Sequence, residues 1–225
     1  MPDPAEHAVP DAAPLVGSWQ EFAPVPLTPI LEAALAAFNE RGYNGAAVRD
    51  IAGRVGVTVP TLYYHHGSKQ GMLLALLQAS MGDLVARTSV ALEEAGDHPL
   101  HRFVDLVDCT VRFMCHRQRL AWLDPEARYL DDDARTIYAA PRKLVEERLL
   151  AVVRAGDAAG TFDVEHPVDT TRALLGTFQS IATWYRADGP LTPEEIAARH
   201  VAFALDAVRT DRRRRTAGVR RARTR

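Results

Sequence analysis

The sequence predicts an all-α fold of about nine helices, and three observations carry that expectation. Apolar residues recur at three- and four-residue intervals along most of the chain. Threonine followed by proline stands at the head of two such runs, at Thr28-Pro29 and Thr192-Pro193, the pairing that caps a helix and fills its first position. No segment alternates apolar and polar residues as a half-buried strand does. With 225 residues, 47% of them apolar, the chain can bury one large core or two modest ones.

No run of 18 apolar residues occurs, and "MPDPAEHAVPDAAP" has neither the basic start nor the apolar middle of a signal peptide. A cytoplasmic protein without a membrane partner is expected. Cys109 and Cys115 are six residues apart on one expected helix, turned roughly 240° from each other, so no disulfide is expected between them. The formal net charge of −2 is unevenly spread, because residues 211–225, "DRRRRTAGVRRARTR", carry +7 and leave −9 for the rest. Such a like-charged block is expected to be a solvated, disordered tail, with non-specific phosphate contact as the sharper alternative.

Residues 1–26 hold six prolines without periodicity and are expected to form a disordered arm. Order is expected from "LTPILEAALAAFNERGYNG", where Thr28 caps and Ile30, Leu31, Ala34, Leu35 and Phe38 form an apolar stripe before Gly42 and Gly45 break the helix. A short helix in "AAVRDIAGRVG" sets Val48, Ile51, Ala52 and Val55 on one side, Arg49, Asp50 and Arg54 on the other. Gly56 then supplies a left-handed turn, Val57 plugs the corner, Thr58 caps the next helix, and Leu62 is its inward anchor.

This is a helix-turn-helix pattern. Its last helix leaves Thr61, Tyr63, Tyr64 and His65 on the outside, side chains able to meet phosphates and base edges in a major groove. Behind it Ser68 caps a long helix whose start offers free N–H groups and Lys69 to a phosphate. Neighbouring His65 and His66 point about 100° apart, so no metal site and no cofactor is expected from them. Residues 27–71 carry a net charge of only +1. Weak attraction of that kind favours a dimer reading two half-sites roughly 34 Å apart.

The block "RGYNGAAVRDIAGRVGVTVPTLYYHHGSKQGMLLAL", residues 41–76, resembles the DNA-binding domain of TetR-family transcriptional regulators. The resemblance implies DNA contacts from Thr58, Thr61, Tyr63, Tyr64, His65 and Lys69; Arg49 and Val59 complete the expected set. Val59 stands where a lysine or arginine is common, and His66 where a buried aromatic is usual. The implied division is a helix-turn-helix domain at 27–71, a helical ligand-binding and dimerisation domain at 72–210, and the tail from 211.

In the second domain, helices are expected in "HPLHRFVDLVDCTVRFMCHRQR" and in "ARTIYAAPRKLVEERLLAVVRAGDAAG", where Pro141 should kink or restart the run. The last two, "PVDTTRALLGTFQSIATWYRADG" and "TPEEIAARHVAFALDAVRT", are apolar enough to form a four-helix interface with a second copy, through Leu174, Leu175, Ile181, Trp184, Tyr185, Val201 and Leu205. Burial within one chain is the competing explanation, and the resemblance favours the homodimer. It also implies an apolar ligand cavity, for which Phe103, Phe113, Met114, Trp122, Tyr138 and Phe178 are the candidates, although most such aromatics are core.

Residues 182–197 resemble the branch of the family tied to fatty-acid and steroid catabolism, which implies an effector of small apolar or acyl-CoA type; Arg142, Arg148 and Arg186 are candidates for a CoA phosphate. The expected protein is a repressor bound to a palindromic double-stranded operator and released by that effector. A small all-helical enzyme or carrier of an apolar metabolite is the alternative, although no G-x-S-x-G, H-E-x-x-H, P-loop or G-x-G-x-x-G motif is present.

Overall fold

The computed structural model describes residues 17–209, so the expected tail and the first sixteen residues of the expected arm lie outside the described residues. Among the described residues there are nine α-helices and no strand. In order they are α1 (Pro29–Gly45), α2 (Val48–Val55), α3 (Val59–His66), α4 (Lys69–Glu94), α5 (Pro99–His116), α6 (Gln118–Ala121), α7 (Asp132–Ala158), α8 (Pro167–Trp184) and α9 (Pro193–Val208). A 3₁₀ segment, Asp124–Tyr129, follows α6.

The caps sit where the sequence sets them. The Thr28 hydroxyl accepts from the Leu31 N–H at 3.3 Å, and Ser68 accepts from the Gly71 N–H at 3.0 Å. Thr192 and Glu195 close a reciprocal capping box at the start of α9. Gly42, at φ 69°, breaks the regular helix before α1 ends. Pro141 does not restart the run: it lies inside α7, which spans 27 residues in all. The carbonyl that loses its donor belongs to Ile137, which is 49% exposed, so water can serve it.

Helices α1 to α3 form a head, and α4 carries it into the body. The boundary expected between residues 71 and 72 falls inside α4. One buried cluster runs without interruption from Leu31, Ile51 and Leu62 through Leu76 and Leu84 to Phe113, Tyr138 and Ala182. A second, around Phe103, Val153, Phe178 and Ile196, holds α5, α7, α8 and α9 together, with α5 packed most extensively on α9.

The disordered arm expected through residue 26 needs correction over residues 17–26. There the chain forms a strap along α4 and α5. Trp19 is buried against Ala91 and Cys109. Arg87 of α4 is 1% exposed and donates to the Trp19 and Glu21 carbonyls at 2.9 and 2.7 Å and to Asp83 at 2.8 Å. Its guanidinium also lies 3.8 Å from the centre of the Phe22 ring, which stacks on His116 at 4.2 Å. Arg117 joins Asp83 at 2.7 Å and reaches the Ala23 carbonyl at 2.5 Å. A buried charge with this many partners is stable where it is and costly to break. Proline-rich composition hid the strap because its anchors are single aromatics, not a periodic pattern.

Candidate nucleic-acid interface

α3 is eight residues long, too short to be stable alone, and the frame around it fixes its position. Gly56 adopts φ 69° and ψ 26°, the left-handed cap that lets the chain reverse between α2 and α3. Leu62, fully buried, pins α3 to the core. At the other end a Cβ on Gly71 would stand 2.0 Å from the His66 carbonyl oxygen, so only glycine lets the end of α3 meet α4 this closely.

The outward face carries Thr58, Thr61, Tyr63, Tyr64 and His65, all exposed. Tyr63 is 43% and Tyr64 86% exposed, unusual for aromatics on a helix with a packed core beneath. The Thr58 hydroxyl accepts from the Thr61 N–H at 3.3 Å and lies 2.8 Å from the Thr61 hydroxyl. Tyr64 and His65 meet edge to face at 5.4 Å.

Three expected contact residues sit differently. Val59 is half-buried against the core. Lys69 lies 4.5 Å from the centre of the Tyr43 ring and 3.5 Å from the Asn44 carbonyl, and partial burial holds its ammonium below the usual lysine range. Arg49 projects from α2 and is exposed. Arg41 and Arg54 are engaged by Asp50 and Glu40, so Arg49 and Lys69 are left to face an anion. His66 is half-buried, and burial first, then His65, lowers its pKa from 6.5.

In the body, the expected cavity set is not brought together. Phe103 and Phe178 are sealed in the α5–α9 core, and Phe103 meets Phe162 edge to face at 5.1 Å. Phe113 and Tyr138 belong to the head-side cluster, and Met114 is wedged between the two. Of the six, Trp122 lines a cavity of about 430 Å³, with Pro125 and Glu126 on one wall and Gly176, Gln179, Ser180 and Thr183 of α8 on the other. Dense packing takes up most of the side chains that the resemblance had pointed to.

The expected interface set needs correction at Leu174, Ile181 and Tyr185. Leu174, Ile181 and Tyr185 are buried in this chain's own core, and Leu175, Val201 and Leu205 are half-buried on it. Trp184 is 47% exposed and stacked over His200 at 6.2 Å, and Phe203 of α9, which was not among the expected residues, is 52% exposed. The most apolar stripe of each helix faces inward, as an amphipathic helix requires. Of the arginines proposed for a CoA phosphate, Arg148 ties α7 to Val85, Thr88 and Ser89 at 2.5–2.7 Å, Arg186 pairs with Asp188, and Arg142 lies 3.4 Å from Asp124.

A joint that sequence reasoning missed connects cavity and head. Asp124 accepts from Tyr138 and from Gln179, which fastens the 3₁₀ segment to α7 and α8. At its other end Tyr129 stacks on Tyr43 at 5.0 Å, its hydroxyl accepts from Asn44 at 2.8 Å, and its carbonyl accepts from Gln70 at 2.9 Å.

Comparison with known proteins gives this arrangement a context. Residues 30–76 match the bacterial regulatory proteins of the tetR family, and residues 96–208 match the tetracyclin repressor-like C-terminal domain. The chain is 29% identical over 182 residues to the HTH-type transcriptional repressor KstR2 of Mycobacterium tuberculosis, covering 80% of this chain and 90% of that one. The solved structure of that ketosteroid transcriptional regulator superposes with a TM-score of 0.72 at 28% identity, over 81% of this chain and 94% of the other. PfmR, a regulator from Thermus thermophilus, superposes with a TM-score of 0.73 at 29% identity over 81% and 99%. AibR, solved in complex with isovaleryl coenzyme A and operator DNA, does so with a TM-score of 0.69 at 25% identity over 78% and 96%. With head and body both matched in order, the chain belongs to the TetR family of bacterial regulatory proteins.

Proposed function

We propose that the protein is a ligand-responsive transcriptional repressor that binds a palindromic operator as a homodimer and releases it when a small apolar or acyl-CoA-type effector enters the body. One observation carries the reading: a helix pinned by a single buried leucine turns two tyrosines and two threonines to the outside. Hydroxyls on so shallow a ridge suit phosphates and base edges. Thr58, Thr61, Tyr63, Tyr64 and His65 make the contacts, with Arg49 and Lys69 on flanking phosphates and Val59 at most at the groove edge.

The second copy docks on the outer face of α8 and α9, through Trp184 and Phe203, because large apolar side chains left exposed on two helices that touch mark an interaction surface. Effector binding acts through the 3₁₀ segment. An occupant pressing on Pro125 and Glu126 moves Tyr129, and with it the Tyr43, Asn44 and Gln70 contacts that seat the head on the body. The two heads then leave their one-turn separation, by a shift between two states that the effector binds unequally.

Footprinting of the purified protein on its own upstream region tests the reading: a symmetric footprint with half-sites one turn apart is expected, and none at any concentration counts against it. The Thr61→Ala, Tyr63→Ala variant separates a regulator from an enzyme or carrier. It should lower operator affinity sharply and leave the fold and effector affinity unchanged.

A further inference from the structure

We infer that the cavity between the 3₁₀ segment and α8 is built for a neutral, largely apolar molecule carrying a hydroxyl group, which Glu126 accepts. This deepens the effector reading and rests on it for its biological meaning. The wall is mostly apolar, formed by the Trp122 ring, Pro125, Ala121, Ala182 and the bare backbone of Gly176. At about 430 Å³ the cavity lies within the usual ~300–1,000 Å³ of small-molecule sites.

Its polar side chains have spent most of their donors elsewhere. Ser180 donates to the Thr177 carbonyl at 2.7 Å and Thr183 to the Ser180 carbonyl at 2.6 Å, while the Gln179 amide donates to Asp124. What the two hydroxyls still offer is lone pairs, and Gln179 adds its amide oxygen beside one remaining N–H. Glu126 adds two more acceptors, and its Oε2 is buried with no hydrogen-bond partner at all. The last torsion of a glutamate is soft, so the carboxylate can turn that oxygen toward an occupant. A buried carboxylate oxygen left unpaired is costly, and a donor brought by the ligand removes the cost.

Charge decides between a hydroxyl and an ammonium. Glu126 has Arg128 at 3.8 Å and Asp124 has Arg142 at 3.4 Å, so each carboxylate already faces a guanidinium. A neutral donor keeps that balance. An anionic group is repelled by both carboxylates, so a thioester ligand would place its acyl end here and its phosphates outside. A site of this kind rejects a ligand lacking the donor more strongly than it rejects a change of skeleton.

The test uses two probes with one bicyclic skeleton, decahydro-2-naphthol and 2-decalone, titrated calorimetrically into the full-length protein. The alcohol is expected to bind at least about tenfold tighter than the ketone. Glu126→Leu should bring the alcohol down to the level of the ketone, with Glu126→Gln as a second variant and thermal unfolding as the check on folding. Gly176→Leu should weaken both, because a Cβ there meets nothing within 4 Å and the side chain would occupy the cavity. Equal affinities, a preference for the ketone, no binding of either probe, or a preference that survives Glu126→Leu overturns the inference. Operator binding measured on the same samples separates the two readings. Selective alcohol binding without operator release leaves this inference standing and removes the effector role, whereas release without selectivity does the reverse.

Discussion

α3 and α5 lie in one chain but obey opposite demands. α3 has eight residues and buries one of them, Leu62. α5 has eighteen and buries eight, among them Phe103, Val107 and Phe113. α5 contributes apolar area to the core; α3 contributes almost none and is held by a glycine turn, a threonine cap and one leucine. Residues on α3 are thereby free to be chosen for what they touch outside, and residues on α5 are not. Stability and recognition should separate cleanly between them.

The largest effect expected is on the α5 side. Phe103→Ala should cost roughly 3–5 kcal/mol of stability, read as the shift in denaturant midpoint, because the ring is fully buried against Phe162. Arg87→Met comes next at about 3 kcal/mol, since it releases the strap and leaves Asp83 with Arg117 as its remaining cation. On the α3 side, Thr61→Ala with Tyr63→Ala should lower operator affinity about a hundredfold by fluorescence anisotropy and move the unfolding midpoint hardly at all. A comparable loss of stability there would erase the contrast. Thr58→Ala sharpens it, because Thr58 belongs to both sides: about 1 kcal/mol of stability from the lost cap, together with weaker operator binding.

The smallest effect is on pH. Burial lowers the pKa of His66 and of His116 from 6.5, so the folded chain binds fewer protons than the unfolded chain just below that value. The stability these two groups contribute is complete above it and lost as pH falls. Asp105 and Asp108, raised from 3.8 mainly by burial, act with the opposite sign at lower pH. Denaturant midpoints at about pH 7.5 and about pH 5.5 should therefore fall with acidity, and His116→Phe, which keeps a ring against Phe22, should flatten the slope.

The head was legible because each of its devices is local. Gly56, Thr58, Leu62 and Ser68 act within a few residues of themselves, and their positions in the sequence state their roles. Helices of the body were legible for the same reason, through Thr192 with Glu195 and through their apolar periods. What faces what was not. Periodicity marks Leu174 and Ile181 as apolar but is silent on whether this chain or a second one covers them. The cavity escaped for a related reason: it is set by Gly176 and Glu126, neither of which carries a local signature, and its neighbour Tyr129 reaches Tyr43 across 86 positions of sequence. Only in Trp19 and Phe22 was there an overlooked hint, two large aromatics inside a segment otherwise read as polar and proline-rich.

The strap gives the molecule a second strut beside α4. A head hung on one helix is a lever that can twist about its hinge. One lashed also by Trp19, Phe22 and Arg87, and braced at Tyr129, behaves more like a ruler. On the operator proposed above, such a ruler would tolerate little error in what it measures, so one base pair inserted between half-sites, a displacement of ~3.4 Å along the duplex, should defeat it as thoroughly as the wrong bases.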